Sequence, residues 1–235
     1  MKTETINFEE FEKNTKIIFK NKGLLRQAFT HRSYINENPG SAFAHNERLE
    51  FLGDAVLELV VTDYLYAKYT EHTEGELTAL RSALVNAVII SEVAQEAGMN
   101  DYLLLSRGEA KDKGKARQYI LANTYEAYLG ALYLDQGYDA AQKFISKTLL
   151  PHTDEIVQKK LWRDAKSLVQ EKAQEYLAVT PSYKVVSESG PDHDKQFTVG
   201  ICFGGEVVAQ GKGKSKQEAE QQAAMSALTI NNWLD

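Results

Sequence analysis

Apolar residues recur every three or four positions through most of the first 150 residues, which is the spacing of amphipathic helices. The pattern predicts helices over five segments: 8 to 19, 23 to 35, 47 to 69, 76 to 97 and 118 to 149. Pro151 and the polar run after it end the periodicity. We therefore predict an all-α domain over residues 1–153 and a linker over residues 154–162.

The pattern changes in the last third of the chain. A helix is predicted over residues 164 to 178, and three segments then alternate in strand fashion: SYKVVSES, KQFTVGICF and EVVAQGKG. Ser215 is a good N-cap for a final helix that reaches about Ile230, and Glu218 stands where a capping box requires it. The order α-β-β-β-α predicts a compact α+β module over residues 163–235, with both helices on one face of an antiparallel sheet.

Composition narrows the class of protein. No stretch approaches the roughly 18 uncharged apolar residues that span a bilayer, and the start lacks the pattern of a secretory signal, so we expect a cytoplasmic protein with no membrane partner. Cys202 is the single cysteine, which excludes an intrachain disulfide and the usual zinc sites. The net charge of -6 argues against coating nucleic acid by bulk charge, so any such binding must be local.

The most informative segment is HNERLEFLGDAVLE, residues 45–58. At about 100° per residue, Glu47, Glu50 and Asp54 fall within roughly 60° of one another, with Glu58 beside them. The opposite face, which we expect to be buried, carries Leu49, Leu52, Val56, Leu59 and Val60. A solvated helix also shows acids to water, and the spacing alone leaves the two interpretations about even.

Two residues favour an acidic face that meets another surface. Phe51 projects from the acidic side, about 40° from Glu47, where a solvated face rarely carries a large aromatic. Gly53 costs about 1 kcal/mol relative to alanine within a helix, which indicates that another group approaches closely there.

A second helix carries a matching polar face. Asn123, Glu126 and Gly130 share one side of the segment from 120 to 131, and its apolar residues lie opposite. If the two helices pack together, Glu126 comes towards Asp54 and Glu50. Clustered carboxylates repel one another unless cations neutralise them, and hard oxygen ligands favour magnesium or manganese.

The lysines near the last helix form a third candidate site. Lys212, Lys214 and Lys216 stand at alternate positions around Ser215, which caps a helix whose free N–H groups attract anions. This arrangement predicts a phosphate site, and an ordinary lysine-rich loop is the alternative.

These residues carry a specific resemblance. HNERLEFLGDAVLE is very similar to the signature of the ribonuclease III family, and the similarity extends to THRSY at 30–34, EGELTALRSALV at 74–85 and the second acidic helix. The resemblance implies an endonuclease domain with four metal ligands: Glu50, Asp54, Asn123 and Glu126. Of these, Asp54 and Glu126 are the implied catalytic pair. Glu47 and Glu74 are implied to handle substrate in the same cleft, and Phe51 to enter the partner subunit of a homodimer.

The implied reaction is hydrolysis of double-stranded RNA to 5′-phosphate and 3′-hydroxyl ends, in rRNA and mRNA processing. Mg²⁺ is the implied cofactor, Mn²⁺ is able to substitute, and no small-molecule organic cofactor is expected. We expect His31, Ser33 and His45 to be structural or RNA-contacting groups rather than an acid–base set, and Arg81 to be a carboxylate partner.

One departure from the family pattern leaves an alternative open. Asn123 stands where the family usually has aspartate, which lowers the charge of the site by one unit while keeping a carbonyl oxygen as a ligand. The alternative is therefore a catalytically weakened or silent duplex-RNA binder. A ribosome-associated structural relative is a third hypothesis, but it predicts the loss of several acids that this chain keeps.

The C-terminal third resembles a double-stranded RNA-binding domain. Such modules read A-form shape over about 16 base pairs through two minor grooves and the phosphates between them. The resemblance implies three groups of RNA contacts: Gln170 and Glu171; Pro191, Asp192 and His193; and Lys212, Lys214 and Lys216. Gln217 stands where the family often has another lysine, which predicts a somewhat weaker grip.

Overall fold

The structure is a computed structural model that describes residues 6–41, 43–158, 165–191 and 195–233. The chain divides into two compact units, Met1–Trp162 and Arg163–Asp235, and each unit has its own hydrophobic core. Asp192 and His193, two of the implied RNA contacts, lie outside the described residues.

The first unit is built of helices. Its α-helices are α1 Phe8–Thr15, α2 Lys22–Ala28, α3 Arg32–Glu37, α4 Glu47–Lys68, α5 Glu74–Leu84, α6 Ala87–Glu96, α7 Lys115–Gln136, α8 Tyr138–Thr148 and α9 Thr153–Gln158. Short 3₁₀ turns lie at Met99–Tyr102, Glu109–Lys111 and Leu150–His152. The predicted all-α architecture of this unit is confirmed.

Three of the predicted helices are each divided into two in the structure. Capping residues separate the two helices of each pair although the apolar spacing continues. The His31 ring accepts the N–H of Ser33 and starts α3. Asn86 accepts the N–H groups of Val88 and Ile89 and starts α6. Gly137, with φ of +84°, separates α7 from α8. Hydrophobic spacing continues across such breaks, since both helices of each pair contribute to one core.

The predicted linker, residues 154–162, begins within a helix. Residues 153 to 158 form α9, and Ile156 is buried in the core of the first unit. Lys68 on α4 donates to the Asp154 carboxylate at 2.8 Å, which joins α9 to α4. Polar composition concealed the apolar contacts of this segment, to which the partly buried Val157 also contributes.

The centre of the first unit is the crossing of α4 and α7. A Cβ on Gly53 would lie 1.7 Å from the Glu126 carbonyl oxygen, and one on Gly130 would lie 2.2 Å from that of Leu49. The two helices therefore touch through backbone, and the close approach predicted at Gly53 is confirmed.

This contact also decides which face of α4 is buried. The buried stripe follows Gly53 and consists of Leu49, Gly53, Val56, Leu57, Val60, Val61 and Leu65. The assignment of Leu59 to that face was wrong, because its side chain is 57% exposed. Leu52 is only partly buried.

The second unit contains α10 Ala165–Leu177, β1 Ser182–Ser189, β2 Gln196–Phe203, β3 Glu206–Gly213 and α11 Lys216–Ile230. The strands form an antiparallel sheet in the order β1-β2-β3. Val169 of α10 and Leu228 of α11 pack with Ile201 of β2 in one core. The predicted α-β-β-β-α module is confirmed.

The start of α11 differs from prediction in one detail. Ser215 caps the helix by accepting the N–H of Glu218 at 3.1 Å, as expected. The Glu218 carboxylate accepts the N–H of Lys214 at 2.7 Å. The return half of the predicted capping box thus reaches one residue further back.

Within the described ranges, no single helix has the length and apolar composition to cross a membrane. The pair α5 and α6, bent by 48°, meets that requirement only when the two are taken together.

Candidate metal centre and nucleic-acid interface

The α4–α7 crossing brings the predicted acidic residues together. The Asn123 side chain lies near the Glu50 carboxylate and acts to lower its pKa. The Glu126 carboxylate interacts with those of Asp54 and Glu50. Both helices therefore contribute polar side chains to one group. We call Glu50, Asp54, Asn123 and Glu126 the acidic cluster.

The carboxylates of this cluster repel one another. Burial, followed by the charges of Asp54, Glu50 and Glu58, raises the pKa of Glu126 to about 8. Burial and the charge of Glu47 raise the pKa of Glu50, and the neighbouring Asn123 side chain opposes that rise. Partly buried negative charges without a counterion are the condition that a bound cation relieves.

The chemistry of the cluster fits a hard divalent cation. Its donors are three carboxylates and one amide oxygen, the ligand type that Mg²⁺ and Mn²⁺ prefer. Among the described residues, however, no three His, Cys, Asp or Glu side chains already stand as a ready-made ligand set. The ligand roles of the four residues therefore stay predictions.

The two implied substrate-handling acids lie in different surroundings. Glu47 adjoins the cluster through its effect on Glu50 and pairs with Arg32 at 3.3 Å. Glu74 begins α5, accepts a hydrogen bond from the Thr78 hydroxyl at 3.2 Å and lines a separate cavity of about 470 Å³. The structure thus places Glu74 against its own helix and in the lining of that cavity.

An ion pair beside the cluster has no signal in the sequence spacing. Arg81 of α5 lies 2.9 Å from the Glu58 carboxylate and donates to the Thr62 hydroxyl at 3.0 Å. Glu58 is one of the charges that act on Glu126. Arg81 is a carboxylate partner, as expected, but only the fold identifies the carboxylate.

Two members of the histidine–serine set, His31 and Ser33, make structural contacts. The His31 ring and the Ser33 hydroxyl are 2.8 Å apart, and the N–H of Ser106 donates to that hydroxyl at 3.0 Å. These bonds tie α3 to the segment that precedes α7.

Phe51 projects from α4 away from the core. Its side chain is 82% exposed, and Leu59 and Tyr66 further along the helix are 57% and 74% exposed. We call these three residues the α4 apolar stripe. Exposed apolar surface of this kind is typical of protein–protein contact sites.

The three lysines surround the junction of β3 and α11. A Cβ on Gly211 would lie 2.1 Å from the Ala223 nitrogen, and one on Gly213 would lie 2.6 Å from that of Ala219. The end of β3 therefore lies directly on α11. Lys212 sits between these glycines, and side chains alternate along a strand, so it points away from the helix. Lys212, Lys214 and Lys216 are all exposed.

The other implied RNA contacts that the structure describes are also accessible. Gln170 and Glu171 are exposed on α10, and Pro191 is exposed after β1.

The chain matches two protein-family models. Residues 21–153 match the Ribonuclease-III-like family, and residues 165–230 match the double-stranded RNA binding motif. The relatives named Ribonuclease 3 include that of Desulforamulus reducens, 45% identical over 91% of this chain and 88% of its own length. The Ribonuclease 3 of Anoxybacillus flavithermus is 43% identical over 95% of this chain and 93% of its own length.

A solved structure agrees with these matches. The nuclease domain of ribonuclease III from Campylobacter jejuni is 38% identical, with a TM-score of 0.56, over 62% of this chain and 99% of that one. The family models together cover most of both units, and the relatives span nearly the whole length. The chain belongs to the ribonuclease III family.

Proposed function

We propose that the protein is a cytoplasmic, Mg²⁺-dependent endoribonuclease that cuts double-stranded RNA to 5′-phosphate and 3′-hydroxyl ends, in rRNA and mRNA processing. The observation that carries the proposal is the convergence of Glu50, Asp54 and Glu126 from two helices in a chain of this family. We assign Asp54 and Glu126 as the catalytic pair and the whole acidic cluster as the metal ligands. Mn²⁺ has the same preference for oxygen ligands and can substitute.

The side chains of the chain divide the work of the reaction. When bound, a divalent cation supplies an activated water and stabilises charge on the phosphate and leaving oxygen. Glu50, Asp54, Asn123 and Glu126 would hold that cation. Asn123 lowers the pKa of the Glu50 carboxyl, and Arg81 neutralises Glu58 beside the site.

Asn123 is compatible with an active site. An amide has an N–H₂ group that can donate to a carboxylate such as Glu50 and a carbonyl oxygen that can ligate a cation or a bound water. Three carboxylates remain around it. The silent-binder alternative is therefore not favoured, and a lower metal affinity is the expected cost of the missing charge.

Residues 163–235 are proposed as the separate RNA-binding domain. Its contacts are the three groups named from the sequence: Gln170 and Glu171; Pro191, Asp192 and His193; and Lys212, Lys214 and Lys216. The exposed lysines beside the capped start of α11 support the phosphate-binding part of this proposal.

A homodimer is proposed through the α4 apolar stripe. The nuclease domain from Campylobacter jejuni has a structurally flexible region that is involved in dimer formation. In the present chain Phe51 is an exposed aromatic, and the cavity of about 470 Å³ lined by Leu65, Tyr66 and Leu77 lies on the same helix and α5. A two-fold interface uses the same surface on both subunits, so each Phe51 can enter the cavity of the partner.

Incubation of the purified protein with a long RNA duplex tests the proposal. We expect cleavage with Mg²⁺ and with Mn²⁺ and none with a chelator, and mapping of the products identifies the chemistry of their ends. Binding of the duplex without cleavage in either metal contradicts the nuclease assignment and favours the silent binder.

A further inference from the structure

Of the three lysines proposed to bind phosphate, Lys212, Lys214 and Lys216, the last has a carboxylate as a neighbour. The Lys216 ammonium lies 3.4 Å from the Glu188 carboxylate and 5.6 Å from the centre of the Phe197 ring. The strand register explains the meeting, because Glu188 pairs with Phe197 and Phe197 pairs with Gly213 at one end of the sheet. Lys216 follows three residues after Gly213, at the start of α11.

The pair is accessible to solvent and to RNA. The Lys216 side chain is 58% exposed and that of Glu188 is 40% exposed. Exposed ion pairs of this kind are weak and screened by salt, so a phosphate can take the place of the carboxylate. The carboxylate then remains within a few ångströms of a bound phosphate and repels it.

We propose that Glu188 is a built-in competitor of the RNA backbone for Lys216, and that it sets the affinity of the C-terminal unit for duplex RNA. The inference rests on the proposed phosphate-binding role of the lysines. Neighbouring residues limit the positive charge in the same way: Gln217 is neutral, and Glu218 stays beside the lysines because its carboxylate accepts the Lys214 N–H. Glu188 is thus a positioning residue that acts through Lys216.

The test measures binding of the full chain to an RNA duplex of about 30 base pairs, longer than the roughly 16 that one such module spans. Chelator prevents cleavage, and fluorescence anisotropy is recorded over a series of salt concentrations. The variants are Glu188→Gln, Lys216→Gln and the double variant. Glu206→Gln is the matched control, because it makes the same charge change at the other end of the sheet, about 20 Å from Lys212.

We expect Glu188→Gln to lower Kd about three- to tenfold at low salt and to steepen the salt dependence by about one phosphate contact. Lys216→Gln should raise Kd, and adding Glu188→Gln to it should recover little, since the competitor has lost its target. Glu206→Gln should change Kd by less than about twofold, an effect that long-range charge alone can give.

Two results overturn the inference. The first is a Glu188→Gln variant that folds normally, as thermal melting reports, yet binds no tighter than Glu206→Gln. The second is an equal gain from Glu188→Gln with and without Lys216, which would mean general repulsion instead of competition. Normal RNA affinity of the Lys216→Gln variant would instead contradict the phosphate-binding role that the proposed function gives to Lys216.

Discussion

Gly53 lies directly against the main-chain carbonyl of Glu126, so close that a Cβ at position 53 would come within 1.7 Å of that oxygen. Gly53, which permits contact of the helices, therefore adjoins Glu126, whose carboxyl pKa is raised to about 8. Packing of the core and convergence of the acidic cluster depend on the same contact.

Gly53→Ala should consequently damage both stability and activity. The added methyl group meets backbone, which cannot turn aside as a side chain can, so we expect a loss of about 2–4 kcal/mol in the free energy of unfolding. Separation of the helices should also lower the cleavage rate more than it lowers duplex affinity. Chemical denaturation and cleavage assays measure the two effects.

Gly75→Ala is the matched control, because Gly75 also lies in a helix and nothing is within 4 Å of a Cβ there. This change should leave activity unaltered and keep or slightly raise stability. Equal stability of the two variants would contradict the role given to Gly53.

Glu126→Gln should abolish cleavage while leaving duplex binding intact. The amide keeps the shape of the side chain but removes one anionic ligand from the centre of the acidic cluster, and we expect the rate to fall by at least about 10³. Rates are measured at saturating Mg²⁺, and duplex affinity is measured in chelator.

Glu9→Gln, at an exposed position in α1, is the control for loss of a carboxylate elsewhere in the same unit. Wild-type cleavage by Glu126→Gln would remove the catalytic assignment.

The stability of the metal-free protein should fall as pH rises. The pKa of Glu126 is about 8 in the fold, above its ordinary value of 4.5. A carboxyl with a raised pKa contributes stability below its unfolded pKa, and that contribution is lost as pH rises through its folded pKa. We expect a loss on the order of 1 kcal/mol between about pH 5 and pH 9, once solvent screening of the exposed part of the group is allowed for.

Calorimetry of the metal-free protein measures this change, and Glu126→Gln should flatten it. Mg²⁺ should oppose it, because cation binding favours the ionised carboxyl and therefore becomes tighter as pH rises. A pH dependence that is the same in Glu126→Gln would show that another group is responsible.

Asn123→Asp tests the departure from the family pattern. The new carboxylate adds negative charge beside Glu50 and removes the amide that lowers the pKa of Glu50, so the metal-free site becomes less stable and binds Mg²⁺ more tightly. We expect a several-fold lower Mg²⁺ requirement and a gain in maximal rate of less than about tenfold. A gain of about a hundredfold or more would mean that the natural site is close to silent.

The sequence predicted the contacts that depend on local chemistry. Gly53 signalled a close approach because glycine within a helix has a cost, and the strands of the second unit were marked by alternation and glycine turns. The apolar spacing did not predict the helix break at Asn86, because that spacing continues through it. Leu59 was misplaced because a helical wheel does not reveal which of two apolar flanks meets the core.

The ion pair between Glu58 and Arg81 shows a different limit. The two residues lie on separate helices, and their meeting depends on the angle between α4 and α5, which no local pattern contains.

Phe51→Ala should weaken the proposed homodimer. Because a two-fold interface contains each residue twice, one substitution removes two aromatic anchors, each worth on the order of 2 kcal/mol when buried in a partner. We expect the dissociation constant of the dimer to rise by about a hundredfold or more, as measured by analytical ultracentrifugation over a range of concentrations. The monomer should keep its fold, because the Phe51 side chain is 82% exposed within one chain. Ile18→Ala is the control, because Ile18 is an apolar residue that is 73% exposed but lies outside the α4 apolar stripe. An equal effect of the two changes would move the interface away from Phe51.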